Sequence, residues 1–355
     1  MQIKTNLNIL PILLTGCLII INSCFTGKQQ SYHTSNAPVL DSMQLVMGRL
    51  PKLKNLPDFN TKMLDSIKEK SYTRYRIHFT VAQGEVLPAL LYLPHNSGTA
   101  KSPAMLVLHS TDATGKMVLS GESRKPDRAY AVELAERGYV VIAPDYPGFG
   151  ELADYDFAND RYESGTMKGI FNHIRCVDYL QSLPQVDKDR VGVIGHSLGG
   201  HNAIFISAFD KRLKITVSSC GWTKLNYYDA GEAPTKLYGG KMGPWAQERY
   251  MPWVRTKYHL DPNRMPFDFD IVIGSIAPRA VFINAPLHDK NFNVEGVKEG
   301  MKKIEQSYKK LHEENKLKVA YPDTGHDFPD ETRLEAYRFI DEILQHHPNN
   351  HQLHK

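Results

Sequence analysis

The sequence predicts an α/β protein: a mostly parallel sheet with helices on both faces, opened by an antiparallel hairpin and carrying an aromatic-rich cap insertion. Three observations predict it. Apolar segments of about four to six residues recur between helical patterns of about 10–20, the rhythm of strand–helix units. Most of these short segments are apolar throughout, as strands covered on both faces are. Finally, Arg190 to Ser207, RVGVIGHSLGGHNAIFIS, reads as strand, turn and helix in immediate succession.

The chain opens on a targeting segment. Lys4 gives a positive start, and Leu7 to Ile21 is an apolar run interrupted by Asn8, Pro11, Thr15 and Gly16. That run is too short and too broken for a membrane span. Ile21-Asn22-Ser23-Cys24 resembles the lipobox of bacterial lipoproteins, in which the cysteine is lipidated and becomes the mature N-terminus. Leu14-Thr15-Gly16-Cys17 has the same form, but a cut there would leave apolar Leu18 to Ile21 at the mature end. The expectation is a signal peptide over 1–23, lipidation at Cys24 and a place in the cell envelope, with plain export to the periplasm or medium as the simpler alternative. Residues 24–57 are polar and punctuated by proline, and read as a tether. The domain is expected over 58–347 and a polar tail over 348–355.

Within the domain, Asp58 to Lys70 predicts a helix with Phe59, Met63, Leu64 and Ile67 on one side. Tyr72 to Val81 and Val86 to Leu93 predict a hairpin around Gln83-Gly84. Met105 to Leu108 is a buried-type strand ending at His109-Ser110-Thr111. Asp127 to Arg137 predicts a helix stopped by Gly138. Tyr139 to Ala143 is the next strand, running into Pro144-Asp145-Tyr146-Pro147-Gly148. Ile170, Ile174, Val177 and Leu180 mark a helix leading to the strand Val191 to Ile194. Ile215 to Ser218 is a strand, followed by an irregular stretch, Gly221 to Pro278. That stretch holds Trp222, Trp245 and Trp253 with Tyr227, Tyr228, Tyr238, Tyr250 and Tyr258. It reads as the cap, its rings serving either to stack on sugars or as the cap's own core. Ala280 to Ile283 and Leu317 to Tyr321 are the last strands. Val297, Met301, Ile304, Tyr308 and Leu311 step by four and three as an amphipathic helix, and Leu334, Tyr337, Ile340 and Leu344 mark the closing one.

The composition is ordinary, 41% hydrophobic and 23% charged, and the net charge is +4. Lys and Arg are interspersed with Asp and Glu, which offers nothing for nucleic acid. Cys176 and Cys220 could pair in an exported protein, but their settings, a helical face and a strand end, favour two buried free thiols.

Ligands of such sheets sit at the carboxyl ends of the strands, so each strand end can be searched for chemistry. Gly195-His196-Ser197-Leu198-Gly199 matches G-x-S-x-G, a nucleophile elbow. The pentapeptide alone is weak, arising by chance in roughly one chain of this length in ten. The strand before it, the helix after it and the partners downstream lift it. A serine hydroxyl needs an imidazole to take its proton, and the imidazole needs a carboxylate to fix its tautomer. His326 lies in Asp323-Thr324-Gly325-His326-Asp327-Phe328, directly after the last strand, and is the candidate base. Asp289 follows Ala280 to Ile283 and is the candidate acid; Asp323 and Asp327 are too near His326 in sequence to reach its ring easily. The oxyanion calls for two donors. One is the Leu198 N–H; the other comes from Ser110 or Thr111. His109, Tyr146 and Trp222 are expected to line the substrate pocket, His196 to point away from Ser197, and His201 to lie on the helix surface.

Taken together, these residues resemble the α/β-hydrolase superfamily, and within it the dienelactone hydrolase and acetyl xylan esterase-like serine esterases, over roughly 72–345. The likeness rests on Ala143 to Gly148, Gly195 to Gly200, Ile276-Ala277-Pro278-Arg279, the His288-Asp289 loop and Gly325-His326-Asp327, with Ser197, Asp289 and His326 in that superfamily's chain order. His109-Ser110-Thr111 departs from the glycine common in its oxyanion loop. The resemblance implies ester hydrolysis through an acyl-enzyme, no metal or other cofactor, and a small-molecule or oligosaccharide ester as partner, with membrane contact only through a lipidated N-terminus. The alternatives are a dienelactone hydrolase-like enzyme, a peptidase of the prolyl-oligopeptidase kind and a binding protein on an inactive hydrolase fold. The residues ahead of Tyr72 are too few for the propeller such peptidases carry, and inactive relatives usually lack a triad member.

Overall fold

The computed structural model describes residues 36–95, 100–123 and 128–348. The expected signal peptide, Cys24 and nearly all of the polar tail lie outside them.

The described residues build one nine-stranded sheet in the order β1-β2-β3-β5-β4-β6-β7-β8-β9. Its antiparallel side is β1 (Lys62–Lys68), β2 (Tyr72–Ala82) and β3 (Glu85–Pro94). β3 pairs antiparallel with β5 (Val140–Pro144). From there β4 (Ser102–Leu108), β6 (Val186–His196), β7 (Leu213–Ser219), β8 (Ala280–Asn284) and β9 (Leu317–Ala320) continue in parallel. The β2–β3 turn falls at Gln83-Gly84, with Gly84 at φ 74°.

The apolar strands are apolar throughout because they have a core on each side, and successive residues alternate between the two. Leu106 and Val193 join a core with α3 (Gly165–Ser182), α4 (Leu198–Phe209), α7 (Phe269–Gly274) and α8 (Val294–Lys309). Val107 and Ile194 join the opposite one, with α2 (Tyr130–Glu136) and α9 (Asp330–Ile343). Gly138, at φ 94°, ends the α2 segment where expected.

Three expectations need correction. Residues 58–70 do not form a helix: 62–68 are the edge strand β1. Every β1 side chain is exposed, so the helix-like spacing of Met63, Leu64 and Ile67 buries nothing, and main-chain pairing with β2 decides the conformation. The stretch expected as tether contains α1 (Ala37–Met47), whose Met43, Val46 and Met47 are fully buried. Asn36 Nδ2 donates to the Ala208 carbonyl at 3.0 Å, and Ser164 Oγ to that of Met47 at 2.6 Å, so the fold begins ahead of residue 58. The stretch 221–278 is not irregular throughout: it holds α5 (Glu232–Leu237), α6 (Trp253–Thr256) and α7, and α7 belongs to the main core.

Candidate active site

Between β6 and α4 the chain turns so sharply that Ser197 takes φ 55°, ψ −116°. That is a strained conformation for a residue with a Cβ. The neighbouring glycines make the turn possible. A Cβ on Gly195 would come within 2.3 Å of the Gly199 main chain, and one on Gly199 within 2.1 Å of the Leu108 carbonyl oxygen. Ser197 N–H donates to the Ser219 carbonyl at 2.8 Å, tying the turn to β7. Leu198 opens α4, where main-chain amides have no acceptor within the helix.

The structure brings Ser197, His326 and Asp289 together. His326 Nε2 lies 2.9 Å from Ser197 Oγ, and its Nδ1 lies 2.8 Å from Asp289 Oδ2. The other Asp289 oxygen accepts the N–H groups of Asn291 and Phe292, at 2.8 and 3.0 Å. The rival acids are engaged elsewhere, Asp323 with His288 and Asp327 with Arg128. The His326 loop is held by its neighbour's carbonyl: Asn284 Nδ2 donates to Asp327 O at 2.8 Å and Cys220 Sγ at 3.2 Å. The His326 ring lies between His196, at 4.9 Å, and Phe292, stacked at 5.9 Å. His196 therefore leaves Ser197 as expected but ends against the imidazole, with its Nδ1 on Ser219 Oγ.

Cys220, Asp289 and His326 carry ligand-type atoms within 4.8 Å of one another. Burial pushes the Cys220 thiol well up, which holds it protonated. A metal there would have to break the bonds that orient His326. Cys176 and Cys220 are both buried free thiols, as the sequence led us to expect.

A cavity of about 290 Å³ opens over Ser197 and Leu198. Its walls are largely aromatic: Tyr228, Tyr238, Trp245, Tyr250 and Phe292. Thr111, Gln247, Arg249 and Asn291 supply polar groups. Of the two residues considered for the second oxyanion donor, Thr111 lines the cavity, while Ser110 is buried and does not.

All three residues expected in the wall lie behind it. Trp222 is 2% exposed and packs near Phe269 and against Gly300 in the core. His109 is buried, its Nδ1 on the Ser110 carbonyl at 2.7 Å and its Nε2 accepting the Tyr146 N–H at 3.0 Å. Burial lowers its pKa, in keeping with this neutral tautomer. It braces the loop that carries Thr111. The Tyr146 hydroxyl donates to the Arg249 carbonyl at 2.8 Å.

His201 corrects a further expectation. It is buried, lines the cavity and packs 4.7 Å from Trp245. Burial pushes its pKa down to about 3, so it is neutral at ordinary pH. Its place one helical turn after Ser197 was the available signal. No spacing marks Arg249, which sequence reasoning missed.

The model of the prolyl oligopeptidase family matches residues 127–351. YtaP of Bacillus subtilis (strain 168) is 25% identical over 278 residues, covering 73% of this chain and 84% of YtaP. The 2,6-dihydropseudooxynicotine hydrolase of Paenarthrobacter nicotinovorans is 28% identical over 159 residues, 45% of this chain but 38% of that protein. Among solved structures, a glucuronoyl esterase from Solibacter usitatus superposes with a TM-score of 0.67 at 17% identity, covering 88% of this chain and 93% of the other. The fold is thus the α/β-hydrolase fold expected from the sequence. Within that superfamily the match falls on the family whose peptidases the sequence reading had set aside. The matched segment spans Ser197, Asp289 and His326, and the chain belongs to the prolyl oligopeptidase family.

Proposed function

We propose that this protein is a serine-dependent carboxylic ester hydrolase that acts through an acyl-enzyme on carbohydrate esters. The observation that carries the reading is the unbroken chain from Ser197 Oγ through His326 to Asp289, with its serine end at the floor of a cavity. Ser197 attacks the ester carbonyl as His326 Nε2 takes its proton, and Asp289 fixes the proton on Nδ1 and stabilises the charged ring. The Leu198 N–H and the Thr111 main chain receive the oxyanion. His326 then protonates the leaving alcohol and activates the water that releases the acid.

Two things favour a sugar. Aromatic walls suit the flat apolar faces of sugar rings. The solved structures of like fold include proteins described as glucuronoyl esterases. A peptidase is the reading the family's name raises. Among the described residues no carboxylate lines the cavity to hold a peptide's N-terminal ammonium, which argues against an aminopeptidase type.

Tyr238, half-buried at the cavity rim, and Trp222, behind the wall, separate binding from packing. Tyr238→Ala is expected to lower kcat/KM on acetylated oligosaccharide about tenfold more than on p-nitrophenyl acetate, because only the larger ester reaches the rim. Trp222→Ala is expected to cost about 3–5 kcal/mol of stability, seen as a lower melting temperature. Equal losses on the two esters for Tyr238→Ala would remove this support for a carbohydrate substrate.

Export as a lipoprotein is proposed from the sequence alone. Stable anchoring needs more than one acyl chain, as a lipidated terminal cysteine supplies. Cys24→Ala should move the protein from the detergent phase to the soluble fraction. An unmodified mature N-terminus downstream of Cys24, found by mass spectrometry, rejects the proposal.

A further inference from the structure

Arg249 stands out among the buried and half-buried cations. Lys116, Lys168 and Arg333 each pair with carboxylates, and Arg279 spends its donors on three main-chain carbonyls. Arg249 lines the cavity over Ser197 and has no carboxylate partner among the described residues. Its Nε and Nη2 both donate to a single atom, Gln247 Oε1, at 3.1 and 2.8 Å. One edge of the guanidinium is thereby fixed, and the edge bearing Nη1 keeps its donors. The head lies 5.1 Å from the Phe149 ring centroid and 5.7 Å from that of Tyr250.

The main chain that carries it is equally fixed. Gly165 and Thr166, at the start of α3, donate to the carbonyls of Glu248 and Tyr250, both at 3.1 Å. A Cβ on Gly165 would come within 2.4 Å of the Arg249 carbonyl oxygen, so the close approach requires glycine there. A guanidinium held this way loses little freedom on binding a two-oxygen anion. Among the described residues nothing in the cavity competes for it: no Asp or Glu lines the walls, and His201 is neutral.

We propose that Arg249 is a specificity determinant that binds a carboxylate carried by the substrate, on the acyl or the alcohol side of the scissile ester. Preferred substrates are then acidic esters. The inference rests on the serine esterase reading of the same cavity and adds the charge of what enters it. A charge-assisted pair with a planar carboxylate suits the open guanidinium edge.

The test uses two matched pairs of chromogenic or titratable esters. On the acyl side these are the mono-p-nitrophenyl ester of glutaric acid and its methyl ester; on the alcohol side, 4-acetoxybenzoate and its methyl ester. Wild type should favour the carboxylate-bearing member of at least one pair about tenfold or more in kcat/KM, chiefly through KM, with the preference falling as ionic strength rises. In Arg249→Gln the acidic-to-neutral ratio should collapse towards one, and Arg249→Lys should restore part of it. No preference in wild type for either pair, or a ratio unchanged in Arg249→Gln, overturns the proposal. A binding measurement keeps it separate from the esterase reading. Glutarate titrated into resting protein should bind wild type about tenfold more tightly than Arg249→Gln, whereas glutaramide should not distinguish them. Failure of turnover with this difference intact rejects the esterase reading alone. Equal glutarate binding by both proteins rejects the role of Arg249.

Discussion

Ser197→Ala is expected to lower turnover of an activated ester by about a million-fold while leaving the fold intact. The hydroxyl is the proposed nucleophile, and the His326 ring is committed to it: its Nε2 lies in hydrogen-bond reach of Ser197 Oγ and its Nδ1 of Asp289. The substitution leaves the elbow in place, because the turn is set by Gly195 and Gly199 and by the Ser197 N–H to Ser219 carbonyl bond, which alanine keeps. Alanine also has the same Cβ as serine, so φ 55° is no more strained in the variant. The measurements are steady-state rates, a melting curve and mapping of a fluorophosphonate adduct by peptide mass spectrometry. An adduct on another residue, or a variant that keeps a substantial fraction of its rate, would overturn the assignment.

Asp289→Asn is expected to cost about ten-thousand-fold in kcat with His326 still in position. The hydrogen bonds around Asp289 show why. Its Oδ1 accepts the Asn291 and Phe292 amides, and its Oδ2 faces His326 Nδ1. Asparagine must turn its oxygen towards those two donors, which leaves its NH2 group facing Nδ1. An N–H there can only donate, so Nδ1 becomes an acceptor and the ring proton moves to Nε2. In that tautomer His326 donates to Ser197 and cannot take its proton. Asp323→Asn and Asp327→Asn are expected to be mild by comparison, because those carboxylates pair with His288 and Arg128 rather than with the base. The reverse ranking would mean the acid is one of them. Nitrogen chemical shifts of His326 in Asp289→Asn give the tautomer directly, apart from the rate.

Much of this was legible in the sequence. β4 to β8 each carry a short apolar run that has to be covered on both faces, and such runs announce themselves without knowledge of their neighbours. The elbow is legible for the same reason: only small residues fit where β6 and α4 nearly touch. The triad follows from order, one residue after each of three parallel strands, whose carboxyl ends meet at one edge of the sheet. Other elements were not local. Residues 62–68 carry helix-like apolar spacing, yet they pair at an open edge where side chains bury nothing. α1 sits in a polar, proline-rich stretch, and only its docking shows that three of its residues are core.

Sequence by itself determined the parallel strands, the elbow and the set Ser197, Asp289 and His326 as candidates for nucleophile, acid and base, because each depends on short-range sterics or on the position of a strand end. The tertiary structure decided the pocket. Trp222 and Trp245 lie in the same insertion and both approach Phe269, yet one is 2% exposed behind the wall, packed on Gly300 of α8, and the other faces the cavity against His201. His201 became a wall residue when Trp245 closed over it, and Arg249 reached the cavity when the first turn of α3 fastened the chain at Glu248 and Tyr250. Contacts of that kind join segments far apart in the chain, and no periodicity in either segment encodes the other.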